Sequence, residues 1–112
     1  MDQVYFPDAE LPLETVQEGG VWRKLRARGG GLMAVEVVFR QGAAGAAHRH
    51  RHEQLSCILE GRFRFTVEGA SRDLGPGDSL YVPPSALHGV VCLAAGRILD
   101  VFTPQREDFL AH

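Results

Sequence analysis

At 112 residues, 45% of them hydrophobic and 23% charged, the chain is long enough for one domain with a single core and too short for a second lobe. Twelve basic against fourteen acidic side chains give a net charge of −2, which excludes a general electrostatic attraction to nucleic acid or anionic membrane. No apolar run approaches membrane-spanning length, and Met1–Asp8 has no basic region leading into an apolar stretch, so neither a spanning helix nor a signal peptide is expected and the cytoplasm is the expected compartment.

In chain order, residues 1–20 read as an irregular arm, rich in Pro and acid and broken at Pro7, Pro12 and Gly19-Gly20. A barrel is expected over residues 21–110. Val21 to Arg28 alternates Val21, Arg23, Leu25 and Ala27 against Trp22, Lys24, Arg26 and Arg28, a pattern that predicts a strand with a solvated face. Leu32 to Arg40, dense in Val and Phe, predicts a second strand after the Gly29-Gly30-Gly31 turn. Gln41 to Ala47 is small and flexible and reads as a loop. Leu55 to Leu59 predicts a short apolar strand, Glu60-Gly61 a turn, and Arg62 to Val67 a strand with Phe63, Phe65 and Val67 facing the core. Beyond the tight turn at Gly75-Pro76-Gly77-Asp78, strands are expected at Ser79 to Val82 and His88 to Leu93, then, after a turn at Ala95-Gly96, at Arg97 to Thr103. Cys57 and Cys92 sit in apolar strand-like settings and are expected as buried free thiols. Many short strands separated by Gly and Pro turns, with no long helix, indicate an all-β fold, a small barrel or sandwich.

The chemistry concentrates in His48-Arg49-His50-Arg51-His52-Glu53-Gln54, which places three imidazoles and an amide at every second position. A β-strand throws alternate side chains to one face, so His48, His50 and Gln54 are expected to converge, and parity favours Gln54 over Glu53 as a third ligand. His88 follows the Pro-flanked stretch Val82 to Leu87 as a fourth donor. Neutral imidazoles and an oxygen converging at about 2.0–2.2 Å suit a divalent transition metal. Gln carries no charge, which would leave the ion more electrophilic than Glu would.

Gly42, five residues, His48, one residue, His50, three residues, Gln54, six residues and Gly61 resembles the first cupin motif, with Gln54 at the usual Glu position. Gly77, five residues, Pro83, four residues and His88 resembles the second, with Ser85 where Gly is common and Cys92 where Asn is common. The resemblance is closer still to the KdgF-like cupins of pectin and alginate degradation. It runs from Val21 to Leu110 and is most specific in Asp100-Val101-Phe102-Thr103-Pro104-Gln105-Arg106-Glu107-Asp108-Phe109. It implies a jelly-roll β-barrel and metal-assisted ring opening of 4,5-unsaturated monouronates to linear keto acids. The implied metal ligands are His48, His50, Gln54 and His88, for Zn, Ni, Mn or Fe; the other implied active-site residues are Asp100, Phe102 and Arg106.

The residues themselves leave alternatives open. Ile98, Asp100 and Phe102 share one face of a strand; pointing inward, Asp100 would be a carboxylate tuned by desolvation for proton transfer, and pointing outward only a surface acid. Arg106 can bind a substrate carboxylate in a bidentate manner or pair with Glu107 or Asp108. His52 is expected behind the ligands or in solvent. Arg23, Lys24, Arg26 and Arg28 read as an exposed basic strand that could include a second contact to substrate charge. Tyr5, Phe6 and Trp22 are expected in packing, the arm could add an edge strand to a neighbouring barrel, and a homodimer is expected. Two other functions remain open on this sequence: an iron-dependent oxygenase and a non-catalytic sugar-acid or metal-binding protein.

Overall fold

The computed structural model of the chain describes residues 3–110; Met1, Asp2 and the terminal His112, expected to be uninformative, lie outside the described residues. The described residues form eight strands: β1 (Glu14–Gln17), β2 (Val21–Gly29), β3 (Leu32–Phe39), β4 (Ala44–His48), β5 (Glu53–Val67), β6 (Ala70–Leu74), β7 (Ser79–Val82) and β8 (His88–Thr103), with 3-10 turns at Asp8–Glu10 and Glu107–Phe109. All pairings are antiparallel, in the order β1-β2-β3-β8-β5-β6, with β4 on β8 and β7 on β5. Among the described residues no helix is long and apolar enough to cross a membrane.

The long strands β5 and β8 are the frame. They pair from Glu53 opposite Thr103 to Val67 opposite His88, so one end of the ladder joins β3 and β7 and the other joins β4 and β6. Two turns predicted in the sequence, at Glu60-Gly61 and Ala95-Gly96, are therefore not turns. Both lie inside these continuous strands, where the register shifts between Ile58 and Phe63. Gly61 has φ +81°, and a Cβ on Gly96 would lie 2.0 Å from the Glu60 carbonyl oxygen. The glycines thus serve a bulge and a backbone crossing that bend the ladder into a barrel.

Three further elements differ from expectation. The supposed irregular arm contributes β1, which adds to the edge of its own barrel beside β2. The small-residue run 41–47 forms most of β4, paired to β8 where Gly89 and Gly45 allow close approach. Strand β6 was not anticipated, its five residues being too polar to alternate visibly. Its pairing is set by the Glu68-Gly69 hairpin, both residues at positive φ, and by the Arg64 to Asp73 fork at 2.7 and 3.1 Å.

The core follows inward parity. Val21, Phe39, Ile58, Phe63, Phe65, Cys92 and Ile98 form one cluster, with Phe39 and Phe63 edge to face at 5.2 Å; Met33, Val35 and Phe102 form a second. Val67 is only partly buried. In the expected apolar strand the parity is the reverse of what its leucines suggest: Gln54, Ser56 and Ile58 point in, while Leu55 and Leu59 are exposed. Both cysteines are free; Cys92 is buried and Cys57 only partly so. Tyr5 is exposed, so its expected packing contact is not made within this chain.

Candidate metal centre and cavity

His48 is the last residue of β4 and His88 the first of β8, and the two stand opposite each other in the ladder, with ring centroids 4.5 Å apart. The strand ends there. Residues 49–52 form a bend, so His50 and Gln54 do not reach the site by alternation along one strand, as the parity reading required. His50 arrives from the bend, whose carbonyl at His50 accepts the Ser85 N–H at 2.7 Å, and Gln54 arrives as an inward residue of β5. The predicted donors converge nonetheless: one ring nitrogen each from His48, His50 and His88 lies within 4.8 Å of the others.

The donor set fits a divalent ion. His48 Nδ1 and His88 Nδ1 each lie 2.9 Å from the carbonyl two residues earlier, Ala46 and Ala86; donating there, each ring leaves its Nε2 lone pair free. Burial pushes His88 below its usual pKa, and burial with the Arg106 charge pushes His50 down to about 4, so both are neutral at pH 7. His50 Nε2 is 3.0 Å from Gln54 Oε1, the spacing of two adjacent ligand atoms about 2.1 Å from a shared ion. The buried His50 Nδ1 has no partner among the described residues.

The amide of Gln54 is oriented by what lies behind it. Ser56, fully buried, donates Oγ–H to Asp100 Oδ1 at 2.6 Å and accepts from Gln54 Nε2 at 2.9 Å; the same Nε2 lies 3.5 Å from Asp100 Oδ1. The nitrogen must face the carboxylate, which turns Oε1 toward His50. Ser56 was not singled out in the sequence, although inward parity with Gln54 and its position opposite Asp100 mark it. Asp100 points inward, between Ile98 and Phe102, and lines a cavity of about 250 Å³ together with Gln54, His48, His88, Phe102 and Arg106. Burial pushes its pKa up to about 6, against the opposing effects of Ser56, Arg106 and Gln54.

Arg106 combines both of its expected positions. Its Nε and Nη2 donate to Asp108 at 2.9 and 2.7 Å, yet the side chain is 12% exposed, lines the cavity and stacks over Phe102 and Phe109 at 5.2 and 4.3 Å. Phe102 is buried, edge to face with His50 at 5.9 Å. His52 is buried too but stands behind the cluster. Its Nε2 lies 3.1 Å from the Gln105 carbonyl, and donating there it fixes the backbone just before Arg106. Of the basic strand, Lys24 and Arg26 pair with Asp8, whereas Arg23 turns into the cavity.

The protein-family model that matches is the cupin domain, over residues 35–102. The chain belongs to the cupin family. It is 40% identical to an RmlC-like cupin from Shewanella frigidimarina, with a TM-score of 0.90 and 96% of each chain covered. It is 36% identical to KdgF from Halomonas sp., with a TM-score of 0.89 over 96% of this chain and 99% of that one, and is a KdgF-like cupin. The polyketide cyclase RemF from Streptomyces resistomycificus shares the fold at 20% identity, with a TM-score of 0.76 over 94% of this chain and 80% of that one. Among curated proteins none matches the chain.

Proposed function

We propose that the chain is a metal-dependent enzyme that opens 4,5-unsaturated monouronates to linear keto acids. The observation that carries this reading is the chain of contacts from His50 through Gln54 and Ser56 to Asp100, which puts a proton-carrying carboxylate beside a histidine cluster in one sugar-sized cavity. The likeness to KdgF supports it.

His48, His50, His88 and Gln54 would hold the ion. When bound, a divalent metal supplies Lewis-acid polarisation of the substrate oxygen that gains charge, a contribution of several kcal/mol. The reaction is an isomerisation. The hemiacetal hydroxyl loses its proton, the bond from the anomeric carbon to the ring oxygen breaks to leave an aldehyde, and the resulting enolate becomes a ketone as carbon 4 gains a proton. Asp100 carries that proton from oxygen to carbon, an effect of roughly 10²–10⁴-fold in rate. Ser56 holds Oδ1 of Asp100 in place, so Oδ2 serves the substrate. Arg106 meets the substrate carboxylate through the Nη1 edge outside its fork with Asp108, and Phe102 forms the apolar wall against the ring.

Metal-loaded protein should accelerate the loss of ultraviolet absorbance of a freshly made unsaturated monouronate, equally with and without oxygen. No acceleration sinks the reading, and a strict oxygen requirement replaces it with the oxygenase. Asp100→Asn should abolish turnover with metal content unchanged; full activity in that variant would remove Asp100 from the mechanism.

A further inference from the structure

Arg23 is the charged cavity residue that the reading above leaves without a role. It sits on β2 between Val21 and Leu25 on the inward face, opposite Val37, which also lines the cavity. An inward arginine in a small barrel is costly unless its charge is answered. Its answering contacts are loose: Glu14 of the edge strand β1 stands at 3.7 Å, beyond hydrogen-bond distance, and the Phe109 ring lies 4.1 Å from the guanidinium carbon. The same ring carries Arg106 at 4.3 Å. Phe109 therefore joins two guanidiniums at one cavity. Arg106, whose charge is felt by His50, His88 and Asp100, sits toward the histidines, and its Nε–Nη2 edge is taken by Asp108. Arg23, beside the edge strand, is the more exposed of the two, 21% against 12%, which puts it nearer the rim, with its donors uncommitted to any close acceptor among the described residues.

We propose that Arg23 is a second substrate-binding residue, which draws a sugar monocarboxylate into the cavity from its rim and determines how tightly that class of ligand is held. It rests on the reading of the cavity as a sugar-acid site. The two cations have separate roles, Arg23 acting on the approaching anion and Arg106 on the carboxylate once it lies beside the reacting atoms. Glu14 competes with the ligand for Arg23, which makes its removal informative. A charge at a cavity rim steers an anion over a distance that salt shortens, so the effect belongs in KM and in its dependence on ionic strength.

The test has a kinetic and a binding arm. In the kinetic arm, Arg23→Gln should raise KM for the unsaturated monouronate about tenfold, keep kcat within about twofold and flatten the salt dependence of kcat/KM. Arg23→Lys should recover most of the affinity, because a charge at the rim is what is needed, and Glu14→Gln should lower KM about two- to threefold. In the binding arm, calorimetry on the metal-loaded protein uses saturated D-galacturonate as the charged probe and D-galactose as its neutral counterpart. Arg23→Gln should weaken only the former. Unchanged galacturonate affinity in Arg23→Gln, or a fall in kcat at unchanged KM, overturns the proposal. Should Arg23→Gln fail to fold, equal affinities of wild type and Glu14→Gln for galacturonate would do the same. Because the binding arm needs no turnover, galacturonate bound through Arg23 by a protein that opens no unsaturated uronate would refute the enzymatic reading while leaving this one standing.

Discussion

The two halves of the β5–β8 ladder share strands and inward parity yet bury opposite chemistry. In one half Ser56 faces Asp100 and Gln54 faces Phe102; in the other Phe63 faces Cys92 and Phe65 faces Val90. The aromatic half is held by close packing. The polar half is tolerated because its buried groups satisfy one another, Ser56 and Gln54 both bonding toward Asp100. The buried carboxylate and the aromatic packing are thus separated along one pair of strands by the Gly61 and Gly96 crossing, while His88 closes the far end of the aromatic half opposite Val67. Substitutions of packing residues and of metal donors should separate folding from metal binding.

The largest effect is expected at the crossing itself. Gly96→Ala places a Cβ 2.0 Å from the Glu60 carbonyl oxygen and 2.7 Å from Gly61 Cα, backbone atoms that cannot rotate away. A loss of more than about 3 kcal/mol in urea denaturation is expected. A variant with the wild-type midpoint would mean that the two strands can part there, and the division into halves would lose its hinge.

Next come two substitutions on the same side of the crossing that should act on opposite properties, since Phe63 faces Cys92 and His88 faces Val67. Phe63→Ala empties a fully buried site against Phe39 and Phe65 and should cost about 3–5 kcal/mol of stability. Its metal affinity, measured by competition with a chelator on the folded fraction, should stay within about threefold of wild type. His88→Ala should do the converse, lowering metal affinity by more than the roughly 100-fold upper end seen for partners that merely orient a ligand. Comparable losses of affinity in both variants would show packing and metal binding to be one unit.

The same division decided what could be read in the sequence. Phe63 and Phe65 alternate with arginines, so their burial was legible, and the His48, His50, Gln54 and His88 set was legible from spacing. The route by which those four converge was not. Parity assumed one strand from His48 to Gln54, whereas the chain bends after His48 and places His50 from a loop tied to Ser85. Glycines read as turns because sequence alone cannot distinguish a φ-positive turn from a bulge inside a long strand; only the partner strand against Gly61 and Gly96 decides it. Leu55 and Leu59 hid the inward face of β5, since outward leucines outweigh a single buried serine in any hydrophobic pattern. Ser56, with Asp100 opposite, emerges from register alone.

The smallest effect measures what the polar half withstands without a metal. Asp100 is pushed up to about 6 by burial, against about 3.9 in an unfolded chain. Between those values the folded state keeps a proton that the unfolded state releases, so this group's contribution to stability falls as pH rises from about 4 to about 6 and is fully unfavourable above that. Asp100→Asn cannot titrate, and its side-chain oxygen can still accept from Ser56. In metal-free protein it should therefore match wild type near pH 4 and exceed it by about 1–3 kcal/mol at pH 7 in urea denaturation. A difference that does not vary with pH would show that the carboxylate is hydrated rather than buried. Added divalent metal should shrink the pH 7 difference, because a cation beside Asp100 favours its charged form and answers the penalty that the amide removes. The gain from Asp100→Asn is thus a stability measurement of the buried carboxylate, independent of substrate, and it places the cost of burying that charge in the polar half of the ladder.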